Sequence, residues 1–401
     1  MKRNIALCLI NLFLLSAFLR ADDSAGSLYE FTAEDGAEDS IPSIERELES
    51  RFSIYNRLFR FDPELLSSPL KVRVFAGKEA YDKYIAERLG FTVQDAVYLH
   101  YGRRERRELV ICHDGVSAET GMLSHQAFIQ FLRGFIPAPP DWMLEGFGIY
   151  YSPLRYNYSG IAEYEENLLW LETVKNQMAS LPSPAAIIGN EMADVPAKTR
   201  EDNMAAPSLD FRVSSWALVS FLLNGGRDYY RALTDSFLVL SPLADTTENT
   251  VSVLQRISLQ NNMEAMDRDF RNYLNSRKTF SELMEEGQRS YSLRDYMNAE
   301  LSFLTAKEQR PSDYSPYYFL GLLSYDGKNF PLAERYYLDS MERGADAALV
   351  NFALGNNAAA AGRYTEAAGF LQKAAALDPA RYRARSGNLL LRMGQQGLPN
   401  F

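Results

Sequence analysis

The chain has 401 residues, 46% of them hydrophobic and 12% aromatic, which excludes a disordered polyelectrolyte and allows more than one packed domain. Its formal net charge of −10 removes any general attraction for nucleic acid. Two cysteines, Cys8 and Cys112, exclude a disulfide framework or a cysteine-based metal site.

In chain order, Lys2 and Arg3 precede a mostly apolar run from Ile5 to Leu19, and Ala21 precedes Asp22. The pattern is that of a secretory leader over 1–21, and the run is short and interrupted for a spanning helix. The chain is therefore expected to be exported, periplasmic or envelope-associated, meeting the membrane only through an uncleaved leader. Residues 22–40, rich in Asp, Glu, Ser and Gly, read as an acidic flexible linker.

A helix capped by Ser43 is expected next, with Ile44, Leu48, Phe52, Tyr55 and Leu58 along one face. The alternation in Lys71–Ala76 predicts a strand and the stretch around Tyr81 and Tyr84 a helix. Val97–Tyr101 and Glu108–His113 predict a hairpin, its Arg103-Arg104-Glu105-Arg106-Arg107 tip read as a solvated turn. Helices are expected over 121–134 and 141–151, with Pro137, Pro139 and Pro140 between them, and over 163–179, 214–223 and 228–238. The 41–277 segment is thus expected to be an α+β domain, mostly helical with a small sheet.

From Phe280 the sequence repeats every 34 residues. Gly287, Gly321 and Gly355 form one column, Tyr296, Phe330 and Tyr364 a second, and Ala299, Ala333 and Ala367 a third. Phe303, Tyr337 and Leu371 form a fourth, followed by Ala306, Ser340 and Ala374. Small residues in such columns let paired helices approach closely, and aromatic columns fill the space between them. This pattern resembles the tetratricopeptide (TPR) family, and the resemblance implies an all-α solenoid of three units plus a capping helix over 280–396. It also implies a groove that holds a protein or peptide ligand, lined by Gln288, Tyr291, Tyr318, Tyr325, Phe352 and Asn356. Met284, Tyr318 and Phe352 stand where some TPR grooves carry the cations that clamp a terminal carboxylate, so that binding mode is not expected.

Upstream, His125-Gln126-Ala127-Phe128-Ile129 is followed by Pro140-Asp-Trp-Met-Leu-Glu-Gly-Phe-Gly-Ile-Tyr-Tyr151 and by Ser215-Trp-Ala-Leu-Val-Ser-Phe-Leu-Leu-Asn-Gly-Gly226. These segments resemble the active-site region of gluzincin zinc peptidases of the peptidase MA-like group. In that resemblance His125 matches the first zinc ligand and Glu145 the third. Gln126 stands at the general base and Ile129 at the second ligand. A carboxamide accepts no proton at neutral pH, and an isoleucine offers no lone pair. The expectation is a degenerate peptidase-like domain with vestigial positions His125, Gln126, Ile129 and Glu145, no metal, no catalytic residue and no small-molecule cofactor. Joined to the repeats, it makes an interaction scaffold. The alternatives are an atypical zinc metallopeptidase using His125 and Glu145, and a structural envelope component that self-assembles through the repeats.

Overall fold

The computed structural model describes residues 27–34, 36–113, 121–156, 162–164, 166, 168–189 and 208–395. The leader over 1–21 and the first residues of the expected linker lie outside the described residues. The chain divides into two compact units that meet at Ser276 and Arg277, and each is described by itself.

The first unit opens with strand β1 (Tyr29–Glu34), helix α1 (Ile41–Phe59), strand β2 (Leu70–Phe75) and helix α2 (Lys78–Leu89). Strands β3 (Ala96–Leu99) and β4 (Glu108–Cys112) follow, then helices α3 (Met122–Phe135) and α4 (Asp141–Tyr151). The sheet order is β1-β2-β4-β3, with β1, β2 and β4 parallel and β3 antiparallel at the edge. Alternation divides the strand residues between two cores. Val72, Val74, Tyr98, Leu109 and Ile111 join the large core that contains α1, α3 and α4 residues, whereas Phe75, Val97, Leu99, Val110 and Cys112 pack with Tyr81 and Ile85 of α2.

β1 corrects the expectation of a flexible linker over 22–40. Averaged over that segment the composition is acidic and small, but Tyr29, Phe31 and Ala33 alternate, and they pack on the large core. A parallel partner from 41 residues downstream fixes them, Tyr29 opposite Leu70, and the Tyr29 hydroxyl donates to the Leu48 carbonyl at 3.2 Å. The expected Ser43 cap is also corrected. A 3-10 turn at Glu38–Ser40 runs directly into Ile41, so Ser43 lies inside the helix and no side chain caps its start.

The unit continues with the short hairpin β5 (Leu154–Tyr156) and β6 (Ala162–Tyr164), then α5 (Leu169–Asn176) and α6 (Pro184–Ile188). The helix expected over 163–179 therefore starts later, because Tyr164 pairs with Leu154 in this hairpin. Four longer helices complete the unit: α7 (Leu209–Asn224), α8 (Arg227–Phe237), α9 (Thr246–Gln260) and α10 (Met263–Ser276). α9 begins at a reciprocal cap: Asp245 accepts from the Glu248 N–H at 2.8 Å and Glu248 accepts from the Asp245 N–H at 3.0 Å.

The second unit is a stack of helices: α11 (Phe280–Ser292), α12 (Tyr296–Gln309), α13 (Tyr314–Asp326), α14 (Phe330–Glu342), α15 (Ala347–Ala360), α16 (Tyr364–Leu377) and α17 (Pro379–Gln395). Each packs on the next in sequence, and α11 on α13 and α15 on α17 besides, as in a solenoid-like helical repeat. No helix among the described residues is long and apolar enough to cross a membrane.

Candidate functional site

The peptidase-like motif positions fall on α3, α4 and α7, which pack closely because α4 carries two glycines. A Cβ at Gly146 would lie 2.5 Å from the Ser215 carbonyl oxygen and 2.7 Å from Val219 of α7. At Gly148 it would lie 2.9 Å from Nε2 of His125 on α3. His125 is thus laid against the α4 backbone, 7% exposed.

Glu145, one turn away on α4, pairs with Arg212 in the first turn of α7 at 3.4 Å, and that guanidinium also lies 5.6 Å from the Trp170 ring. Burial raises the Glu145 carboxyl above its ordinary range, and Arg212 opposes the shift. Burial, with Arg212 beside it, pushes the His125 imidazole down to about 4.

Gln126 is tied elsewhere. Its Oε1 accepts the Tyr98 backbone N–H at 2.9 Å, fastening α3 to edge strand β3. Ile129 packs against the large core. The remaining histidines stand apart: His100 shares a 3.0 Å contact with Arg133, and His113 is exposed at the end of β4. The donor set does not fit a catalytic zinc, which needs three protein ligands and a free position. Of the two motif ligands, one lies on a glycine backbone and the other is held by an arginine. Among the described residues no three His, Cys, Asp or Glu side chains gather as a metal would require. Arg212 escaped the sequence reading; its only signal is that it is the lone cation of α7.

The pH dependence follows from His125. The folded state keeps it neutral while the unfolded chain takes up a proton below about 6.5, so stability falls as pH drops from 6.5 toward 4. At pH 5 the expected loss from this residue is about 2 kcal/mol. Urea unfolding at pH 7 and pH 5 checks it: burial and the Arg133 charge push His100 down to about 3 as well, so His125→Gln should remove about half of the histidine-linked difference, and an unchanged difference would assign it elsewhere.

In the second unit, the repeat columns meet as pairs. A Cβ on Gly287 would lie 2.5 Å from the Phe303 ring, on Gly321 2.5 Å from the Tyr337 ring, and on Gly355 2.7 Å from Leu371 Cγ. The same close approach therefore recurs three times between the first and second helix of a pair. The Tyr296 column plays a different part: Tyr296 is 42% exposed at the start of its helix.

The expected groove residues lie on the first helices of the pairs. Tyr318 and Tyr325 are half-buried beside Leu322, and the Tyr318 ring lies 5.8 Å from that of Tyr337. Tyr291 donates its hydroxyl to Asp326 at 2.8 Å, joining α11 to α13. Phe352 lies 5.0 Å from Tyr382, so α17 covers part of it. Gln288 is exposed, and Asn356 donates to its own helix at the Phe352 carbonyl, 2.7 Å away. The structure thus gathers Tyr291, Tyr318 and Tyr325 near Tyr337, sets Phe352 under the last helix, and gives Gln288 no share in the aromatic cluster.

No protein-family model matches this chain, and no curated protein matches it.

Proposed function

We propose that the chain is an exported scaffold in which a TPR-type array of three units and a capping helix binds a protein or peptide segment. In this reading the 41–277 segment is a peptidase-like domain that has lost its metal chemistry, and the protein resides in the periplasm or envelope. The observation that carries it is the contact between a glycine and a large side chain sixteen positions later, repeated at Gly287, Gly321 and Gly355. A helical hairpin alone leaves an apolar stripe open, so such pairs stack and leave a face of first helices for a ligand. Half-buried tyrosines suit that face, since each offers apolar area with a polar tip at low entropic cost.

The pseudo-peptidase half is supported by Gln126 bound to the Tyr98 N–H, by apolar Ile129, and by Arg212 on Glu145. Zinc titration of the purified chain should show no tight stoichiometric site, and a tight site removed by His125→Ala would overturn this half.

The binding half is tested with the full chain as bait in its native host. Tyr318→Ala/Tyr325→Ala should weaken the recovered partner about tenfold or more, the loss typical of central aromatic anchors. Leu301→Ala, at an exposed position of α12, should leave it unchanged. Equal retention by the tyrosine variant would remove the groove from the proposal.

A further inference from the structure

The arginine-rich connection between β3 and β4, expected to be a plain solvated turn, does not simply face water. Arg104 and Arg107 from that turn meet Arg133 from the last turn of α3 and Lys71 from β2. Together with Tyr98 and Gln130 they line a shallow open cleft. The arginines are held by neutral partners: Arg104 donates to the Ser67 hydroxyl, and Arg107 to the Tyr101 carbonyl at 2.6 Å and the Gly102 carbonyl at 3.5 Å. Arg133 donates to the Pro137 carbonyl at 2.9 Å and contacts His100 Nε2 at 3.0 Å. Among the described residues none of the three forms an ion pair with a carboxylate. Lys71 donates to the Glu105 carbonyl at 3.2 Å and has Glu30 at 3.9 Å, a half-exposed pair.

Gathering like charges without a counter-charge is unfavourable, and more so where water is partly excluded. Burial lowers the pKa of both Arg107 and Arg133; the Arg104 charge adds to the effect on Arg107, with Glu105 opposing it, and the Arg107 charge adds to the effect on Arg133. The nearest acids on α4, Asp141 and Glu145, act on Arg133 only from beyond ion-pair distance. The frame beneath the cluster is rigid: Gln130 donates to the Lys71 carbonyl at 2.8 Å and Gln126 accepts from the Tyr98 N–H, tying α3 to both β2 and β3. The cations are therefore fixed in place before any ligand arrives, which lowers the entropic cost of binding.

We propose that this cleft is an oxyanion site for phosphate, either free or as a monoester. A carboxylate offers one charge and two oxygens in a single plane, whereas a tetrahedral dianion carries more charge and presents oxygens to donors arriving from several elements. The site is independent of the scaffold reading above: no vestigial position and no groove residue lines the cleft, and Gln126 serves only in the frame beneath it.

Calorimetric titration of the full chain with inorganic phosphate at low ionic strength tests it, with acetate as the monoanion control. One saturable site is expected, weakened about tenfold or more by Arg104→Gln/Arg107→Gln, since charge-assisted bonds are lost. Arg104 is exposed, so Arg104→Gln alone keeps the test valid if the double variant fails to fold. O-phosphoserine binding tighter than inorganic phosphate would assign the site to a monoester, and equal or weaker binding to the free ion. No saturable phosphate binding, equal binding of acetate, or affinity unchanged in Arg104→Gln would each overturn the proposal.

Discussion

Gly321→Leu should destabilise the helical stack by about 3 kcal/mol, the upper range for overpacking a filled core. Even a Cβ at this position meets the Tyr337 ring at 2.5 Å, and that ring is 1% exposed, so it has no free space into which to withdraw. The gain of about 1 kcal/mol from replacing a helical glycine is too small to offset the clash. Gly369 provides the opposite sign within the same stack. It lies inside α16 with nothing within 4 Å of a would-be Cβ, so Gly369→Ala should stabilise by about 0.5–1 kcal/mol. Thermal unfolding followed by hydrogen exchange in 277–395 reads both effects. The Gly321 variant should melt about 10 °C lower or more, while the Gly369 variant should hold or rise. If both glycines tolerated substitution equally, close approach of paired helices would not be what fixes the repeat.

Arg212→Met should cost about 3 kcal/mol at pH 7, the low end for breaking a buried pair because the arginine side chain is about one-third exposed. Without it, the Glu145 carboxylate, 15% exposed, keeps only the more distant Arg133 as a counter-charge, with Asp141 opposing. The sign with pH follows. Removing Arg212 raises the folded-state pKa of Glu145 further, so the deficit is small where the carboxyl is protonated in both states and grows as pH rises. Adding Glu145→Gln should recover most of the loss, and urea unfolding of the two single variants and the double variant at pH 4 and pH 7 measures the coupling. Independent, additive losses would mean that Arg212 is not the charge that holds Glu145. The result also bears on function, since it asks whether a cation belonging to the chain itself satisfies the carboxylate that the motif would offer to a metal.

The helices of the second unit and their pairing were legible along the chain. Gly287 and Phe303, Gly321 and Tyr337, Gly355 and Leu371 lie within one hairpin each, so a fixed spacing records the contact. The bounds of α4 and the α2 and hairpin segments were legible for a similar reason: prolines, turns and alternation act over a few residues. For the candidate site, the sequence showed that Gln126 cannot serve as a general base and that Ile129 cannot ligate a metal, because chemistry belongs to the residue itself. What those residues do instead depends on partners brought to them by folding. Gln126 meets a backbone N–H 28 residues away, Arg212 reaches Glu145 from another helix, and β1 is made a strand by a partner beyond α1. The arginine cleft likewise joins a turn, a strand and a helix end. Such contacts leave no periodic trace, since they depend on which surfaces the packed core brings together rather than on distance along the chain.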